Sequence, residues 1–268
     1  MITIGINPVA FSIGAVSIRW YGIMVGLAVL TVILWVMREV GKGANLSYDS
    51  VFTAALVGIP SGIVMSRLLH VVDNIVIARL HPELVDHVVD YIQHPNLIIG
   101  AAGLTIYGAI LGAALGIWVY SKIIKLQFGR LADLAAPGII LAQAVGRVGC
   151  TINGCCYGMP TSLPWGVVYT HPNSVAFGAG AVHPTQVYEL IFCLVGFAVL
   201  ARLKGRLSPE GSLFLLYLNL YALWRLGIDF LREGTPFLFG LHQAQVIALI
   251  VVVFTGPILV WRTRWVKK

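Results

Sequence analysis

Residues 145–158 read V-G-R-V-G-C-T-I-N-G-C-C-Y-G, a cation, three thiols and an amide set among glycines at the end of an apolar run. Holding a guanidinium at membrane depth costs at least ~2.5–3.5 kcal/mol, so Arg147 marks a candidate functional site. The competing reading is an end anchor whose aliphatic stem snorkels its charge to the interface. Arg67, Arg225 and Arg232 also lie in or at the end of apolar runs, and Arg19 opens one. An arginine fork suits phosphate, and a low-dielectric setting strengthens that pairing. One shared anionic ligand therefore accounts for cations converging from several spans. The alternative is that they pair with Asp133, Glu189, Asp229 and Glu233.

Other polar side chains occur near the same span ends. Tyr21 follows Trp20; Tyr221 precedes Arg225 by four residues, which puts both on one helical face. His183-Pro-Thr-Gln-Val-Tyr-Glu189 opens another run, with Pro184 suited to a first helical turn. Around Thr105 and Tyr107, small residues recur at four- and five-residue spacing. Such spacing favours close helix packing. It leaves Thr105 and Tyr107 facing a polar cavity.

Composition dictates what carries these residues. The 268-residue chain is 58% hydrophobic and 11% charged, with mean hydropathy +0.87. Soluble domains carry roughly 25% charged residues, so this surface belongs in lipid. Seven apolar stretches are long enough for a bilayer of about 30 Å, near 18–37, 50–72, 97–121, 131–150, 182–201, 212–231 and 241–261. Alternating ten-residue strands, the mark of a membrane barrel, are missing. The expected fold is an all-α polytopic membrane protein in one domain. Residues 73–96 form an amphipathic interfacial arm, and 151–181 form a small outer cap. No cleavable leader is evident, since no basic segment precedes a short apolar stretch.

Twelve of the 18 Lys and Arg residues fall on alternate connections: Arg38 and Lys42; Lys122, Lys125 and Arg130; Arg202, Lys204 and Arg206; and the tail from Arg262. The positive-inside rule then places the N-terminus outside and the C-terminus in the cytoplasm. The net charge of +7 is thereby spent facing anionic lipid, leaving no basic patch for nucleic acid.

Taken together, these residues resemble the prolipoprotein diacylglyceryl transferase family. Residues 146–158 are similar to its signature G-R-x-G-N-F-x-N-x-E-x-x-G, and 103–112 to its G-G-x-x-x-[HY]-G-G-x-x-G block. Arg19-Trp-Tyr-Gly22, the His183 to Glu189 block and Tyr221-x-x-x-Arg225 through Arg232 also align. The resemblance implies a multi-pass enzyme of the bacterial inner membrane that uses no cofactor or metal. It implies transfer of the diacylglyceryl group of phosphatidylglycerol to the lipobox cysteine of exported preprolipoproteins. Arg147 and Arg225 are implied to hold the phosphate, and Tyr107 to orient the acceptor thiol. Tyr21, Arg67, Asn153, Gly158, Tyr221, His183, Glu189 and Arg232 are the implied substrate-binding set.

The chain departs from the signature at three positions: Cys150 stands for Asn, Thr151 for Phe and Cys155 for Glu. On an oxidising face, a Cys150–Cys155 or Cys150–Cys156 disulfide is compatible with these positions, whereas a bridge between adjacent Cys155 and Cys156 is strained. A metal site that adds His171 or His183 lacks a recognised ligand spacing. Cys193 reads as a buried apolar residue. Two other functions compete: a related lipid transferase with a different acceptor, and a lipid or anion transporter. The latter usually shows a repeat, which is not visible here.

Overall fold

In the computed structural model the described residues are 1–14, 16–44, 46–80, 105–233 and 237–266. Among the described residues seven helices are long and apolar enough to cross a membrane. They are α1 (Trp20–Gly41), α2 (Tyr48–Leu80), α3 (Ile106–Ile123), α4 (Phe128–Asn153), α5 (Thr185–Leu203), α6 (Ser212–Ile228) and α7 (Gln243–Arg262). A 3-10 turn, Asp229–Leu231, extends α6. The seven expected spans are therefore all present, with two shifts at the ends. α2 runs on to Leu80, so the first part of the expected arm continues the span; the rest of that arm, 81–96, lies outside the described residues. α3 begins at Ile106 with Thr105 as its N-cap, and 97–104 are likewise outside.

The residues group into two compact units, 1–42 with 129–268, and 43–128. In the second unit α2 and α3 pack backbone to backbone. A Cβ on Gly112 would lie 2.3 Å from the Ser61 carbonyl oxygen, and one on Gly108 would lie 2.5 Å from Ser66 Cα. The small residues thus serve helix packing. Thr105 correspondingly turns to α2: its Oγ1 donates to the Ser66 carbonyl (3.1 Å), and Ser66 Oγ donates to the Thr105 carbonyl (2.7 Å). This corrects the expectation that Thr105 faces a cavity. Within the membrane, a hydroxyl is satisfied most readily by a neighbouring helix's backbone.

In the first unit, α4, α5 and α6 enclose a core of Ala136, Ile140, Ala144, Cys193, Leu200, Leu213 and Tyr217. Cys193 is fully buried there, as an apolar residue should be. α4 also carries Asp133, whose carboxylate accepts from the amides of Gly211 (2.7 Å) and Phe214 (2.8 Å). It caps α6 from a neighbouring helix, which removes it from the set of arginine partners. α1 is fastened to α4 by Trp35 Nε1 donating to the Leu134 carbonyl at 3.1 Å. One turn further along α1, buried Glu39 meets Arg38, Lys42 and Lys204.

Short strands add what the all-helical expectation lacked. β1 (Ile2–Ile4) pairs in parallel with β4 (Val167–Tyr169), which pairs antiparallel with β5 (Ala181–Val182). This sheet packs Val167, Tyr169, Ala176 and Val182 into a second small core. The cap is therefore a built layer that includes the N-terminus; it begins after Asn153, because α4 runs that far. A hairpin of β2 (Val9–Ile13) and β3 (Val16–Arg19) leads into α1. β6 (Leu207–Ser208) pairs with β7 (Arg264–Trp265).

Gly112→Ala should lower the thermal midpoint of the detergent-solubilised chain, because overpacking a tight contact costs about 1–3 kcal/mol. Gly26→Ala, where nothing lies within 4 Å of the added carbon, should leave it level or raised. Differential scanning fluorimetry of the two variants checks this.

Candidate active site

Glu189 in the second turn of α5 is 1% exposed, and three side chains from two other helices converge on it. Arg147, near the end of α4, donates from Nη2 to Oε1 at 2.7 Å. Tyr221 donates its hydroxyl to the same oxygen at 2.7 Å. Arg225, one turn on in α6, brings Nη1 to 3.6 Å from Oε2. Tyr221 and Arg225 therefore do share a face, as their spacing predicts. Arg225 also places Nη2 2.8 Å from Asp229 Oδ1, and Arg232 lies 3.9 Å from that oxygen. The arginines do pair with Glu189 and Asp229, and they also converge. Glu233 is exposed.

The charges do not cancel. Three guanidiniums share two buried carboxylates, so among these five side chains positive charge exceeds negative by one. Buried Arg225 Nη1 makes no hydrogen bond among the described residues. A guanidinium left partly unsatisfied in a low-dielectric setting attracts an anion strongly.

The end of α4 and the loop beyond it form the adjacent wall. Cys155 N–H donates to the Cys150 carbonyl (3.2 Å), closing the helix. Gly154 follows Asn153 at φ +72°, and a Cβ there would lie 2.1 Å from Ser174 Oγ. Two side chains in the first turn of α5 hold the loop: Thr185 Oγ1 donates to the Cys156 carbonyl (2.7 Å) and Gln186 Nε2 to the Cys155 carbonyl (2.8 Å). All four cysteines carry free thiols. The sulfurs of Cys150, Cys155 and Cys156 lie within 4.8 Å of one another, and Arg147 Nη1 is 3.7 Å from Cys150 Sγ. Burial pushes the Tyr169 hydroxyl behind the loop up to about 12.

The other expected site residues are distributed unevenly. Tyr21, second in α1, is 39% exposed and lies in the electrostatic field of Arg147 and the three thiols. Asn153 is buried, and its Oδ1 accepts from Arg19 Nη1 at 3.1 Å. Gly158 is a backbone crossing point: a Cβ would lie 2.4 Å from the Leu231 carbonyl oxygen and 2.7 Å from His183 Cβ. Its close approach is thus to the chain rather than to a ligand. His183 faces Tyr188, with Nδ1 3.4 Å from the hydroxyl that also accepts from Trp165 Nε1. Its backbone pairs with Gly158 and Met159, which groups it with the cap. Arg67 on α2 and Tyr107 in the first turn of α3 belong to the other unit.

Sequence reasoning placed Glu189 among the binding residues without its central position. It also passed over Thr185 and Gln186 as braces, although both stand in the block that opens α5. A polar first turn facing a glycine- and cysteine-rich loop was the available signal.

Comparison with known proteins follows the same line. The family model described as "Prolipoprotein diacylglyceryl transferase" matches residues 8–261. A protein of Dehalococcoides mccartyi named phosphatidylglycerol–prolipoprotein diacylglyceryl transferase is 45% identical over 268 residues, covering 100% of this chain and 98% of its own. Proteins with the same name are similar in Clostridium tetani, 33% identical over 86% of each chain, and in Bacillus licheniformis, 31% identical over 96% of this chain and 93% of its own.

Glu189→Ala should destabilise the fold by about 3–5 kcal/mol, since it strands two buried cations. Tyr221→Phe should cost less, about 1.5–3 kcal/mol, the worth of a hydrogen bond to a charged acceptor. Denaturation midpoints in matched detergent distinguish the two.

Proposed function

The chain belongs to the prolipoprotein diacylglyceryl transferase family, and from that premise we infer what its buried cations do. The enzyme transfers the diacylglyceryl group of phosphatidylglycerol to the thiol of a prolipoprotein cysteine. A carbon–sulfur bond forms at the glyceryl carbon, the carbon–oxygen bond to phosphate breaks, and glycerol phosphate departs. The substrate's phosphodiester is a monoanion, and the site holds one uncompensated positive charge.

Arg147 and Arg225 hold the phosphate. Glu189 fixes both through opposite carboxylate oxygens, so the forks are aimed before the lipid arrives. Charge grows on the bridging oxygen as the bond to carbon breaks, and donors already in place stabilise it without reorganisation. Asp229 keeps Arg225 and Arg232 in register, and Tyr21 and Asn153 meet headgroup oxygens where Gly149 of α4 packs against Tyr21 and Met24 of α1. The observation that carries the reading is the convergence of Arg147, Arg225 and Tyr221 on one buried carboxylate, with an Arg225 N–H left unused.

The alternation of basic connections supports an outside N-terminus and a cytoplasmic C-terminus in the bacterial inner membrane. On that orientation the arginine-bearing ends of α4 and α6 open outward, where exported prolipoproteins present their cysteine.

Arg147→Ala and Arg225→Ala should each reduce diacylglyceryl transfer to a lipobox peptide by at least roughly 10²–10³-fold, the scale of losing one preorganised charge donor. Lysine at either position should restore little, lacking the second tooth of the fork. Full activity in both alanine variants rules out the phosphate-holding role. For the orientation, a reporter active only in the cytoplasm should work when fused after residue 268 and fail ahead of residue 1.

A further inference from the structure

Three thiols at the edge of the phosphate site are used by nothing described so far. Cys150 is buried in the last turn of α4, while Cys155 and Cys156 are half-buried on the loop beyond it. Their sulfurs lie within 4.8 Å of one another. The backbone keeps them there. Cys155 N–H donates to the Cys150 carbonyl at 3.2 Å, and Gln186 and Thr185 tie the Cys155 and Cys156 carbonyls to α5. Gly154 and Cys156 both take positive φ, +72° and +62°. Cys156 is thus held in a conformation that side chains disfavour, and there its sulfur meets the other two.

From this arrangement we propose that Cys150 is the fixed half of a reversible disulfide, with Cys155 or Cys156 as the other half, and that the bridged chain holds the lipid phosphate more tightly. The adjacent pair cannot bridge without strain, so Cys150 is common to both relaxed pairings. Closing at most 4.8 Å to the about 2.05 Å of a sulfur–sulfur bond is within the sweep of side chains turning about their Cα–Cβ bonds. The substrate of the step is a small disulfide, RSSR. Half-exposed Cys155 or Cys156 attacks it as the thiolate, forming a mixed disulfide and releasing one RSH. Buried Cys150 then attacks the protein sulfur of that mixed disulfide and expels the second RSH. Two electrons pass from the two cysteines to RSSR, and their two protons leave on the two released thiols. The third thiol lets the bond pass between Cys155 and Cys156 by further exchange. On the proposed orientation this face lies outside the membrane, where disulfides persist.

The consequence for the site follows from charge, and it rests on the phosphate-holding reading. Arg147 uses Nη2 on Glu189 and turns Nη1 to Cys150 Sγ at 3.7 Å. A thiol there accepts that hydrogen bond and, once ionised, cancels the positive excess that a phosphate needs. A disulfide sulfur carries no charge and is a poorer acceptor. Bridging therefore returns an Nη1 donor of Arg147 to the lipid phosphate and keeps the excess charge of the three arginines intact. It also closes a ring around Asn153, whose Oδ1 accepts from Arg19.

The test uses the full-length chain, solubilised in detergent, reduced, and freed of reductant without air. Oxidised glutathione is added and remaining thiols are blocked with N-ethylmaleimide. Hydroxylamine then cuts the chain at Asn153–Gly154, the single Asn–Gly bond in the sequence. The two fragments should stay joined on a non-reducing gel and part when reduced, with both glutathione halves released as thiol. Cys193→Ser should behave identically, and Cys150→Ser should give parted fragments. Fragments of the unvaried chain that part without reductant, or a join lost in Cys193→Ser, overturn the bridge whether or not the Cys150 variant folds. Affinity for a short-chain phosphatidylglycerol is then measured with no acceptor peptide present, since its thiol would reopen the bond. The bridged chain should bind several-fold more tightly than the reduced chain, and Cys150→Ala should bind equally under both conditions. Equal or weaker binding by the bridged chain overturns its role at the phosphate. A chain that bridges but binds no phosphatidylglycerol in either state sinks the phosphate-holding reading and leaves the disulfide site standing.

Discussion

A carboxylate shut away from water dominates the chemistry of this protein. Glu189 is almost wholly buried, and an ionised carboxylate there is tolerable only if cations and donors surround it. Arg147, Arg225 and Tyr221 supply them from α4 and α6. The same contacts that neutralise Glu189 define where the two guanidiniums point. A pair of arginines without such an anchor would repel each other and turn toward the interface. With it they are held at one depth, and Arg225 Nη1 keeps its hydrogen bonds unmade among the described residues. The stability of the site and the phosphate-holding role proposed for it thus have a common origin.

That arrangement needs the three helices to be fixed on one another before any ligand arrives. The close packing of Gly196 against Ile140 brings α5 onto α4, and Asp133 caps the start of α6 from α4. Neither residue touches the site. Each instead sets the angle and height at which a site-bearing helix emerges. The cap does the same for the loop after α4, because β4 and β5 lead the chain back to Thr185 and Gln186, which grip the cysteine loop.

The carboxylates in this chain divide the work by depth and partner. Glu39, at the opposite end of α1 from Tyr21, meets three cations and fastens α1 to the segment after α5. Asp133 meets amides and behaves as a cap. Glu189 and Asp229 meet arginines and leave them short of one negative charge. Cations outnumber Glu39 as well, but Arg38 and Lys42 are more than half exposed and water serves their spare N–H groups, whereas the arginines at Glu189 and Asp229 are largely buried.

Read by itself, the sequence determined the class, the seven spans and the alternation of basic connections. Those features are written in composition and in apolar runs of about twenty residues, signals long enough to survive any tertiary context. It also determined that Tyr221 and Arg225 share a face, which is helical arithmetic. Tertiary structure alone decided which carboxylate each arginine meets, that Thr105 turns to a helix backbone, and that Gly158 serves a chain crossing. Partner choice across helices depends on height and rotation, which no local period encodes. The strands escaped notice because two to five residues are too few to show alternation. The meeting of Cys150 with Cys155 and Cys156 depended on a left-handed turn at Gly154 that closes the helix and folds the loop back, a geometry that the spacing of the cysteines does not express.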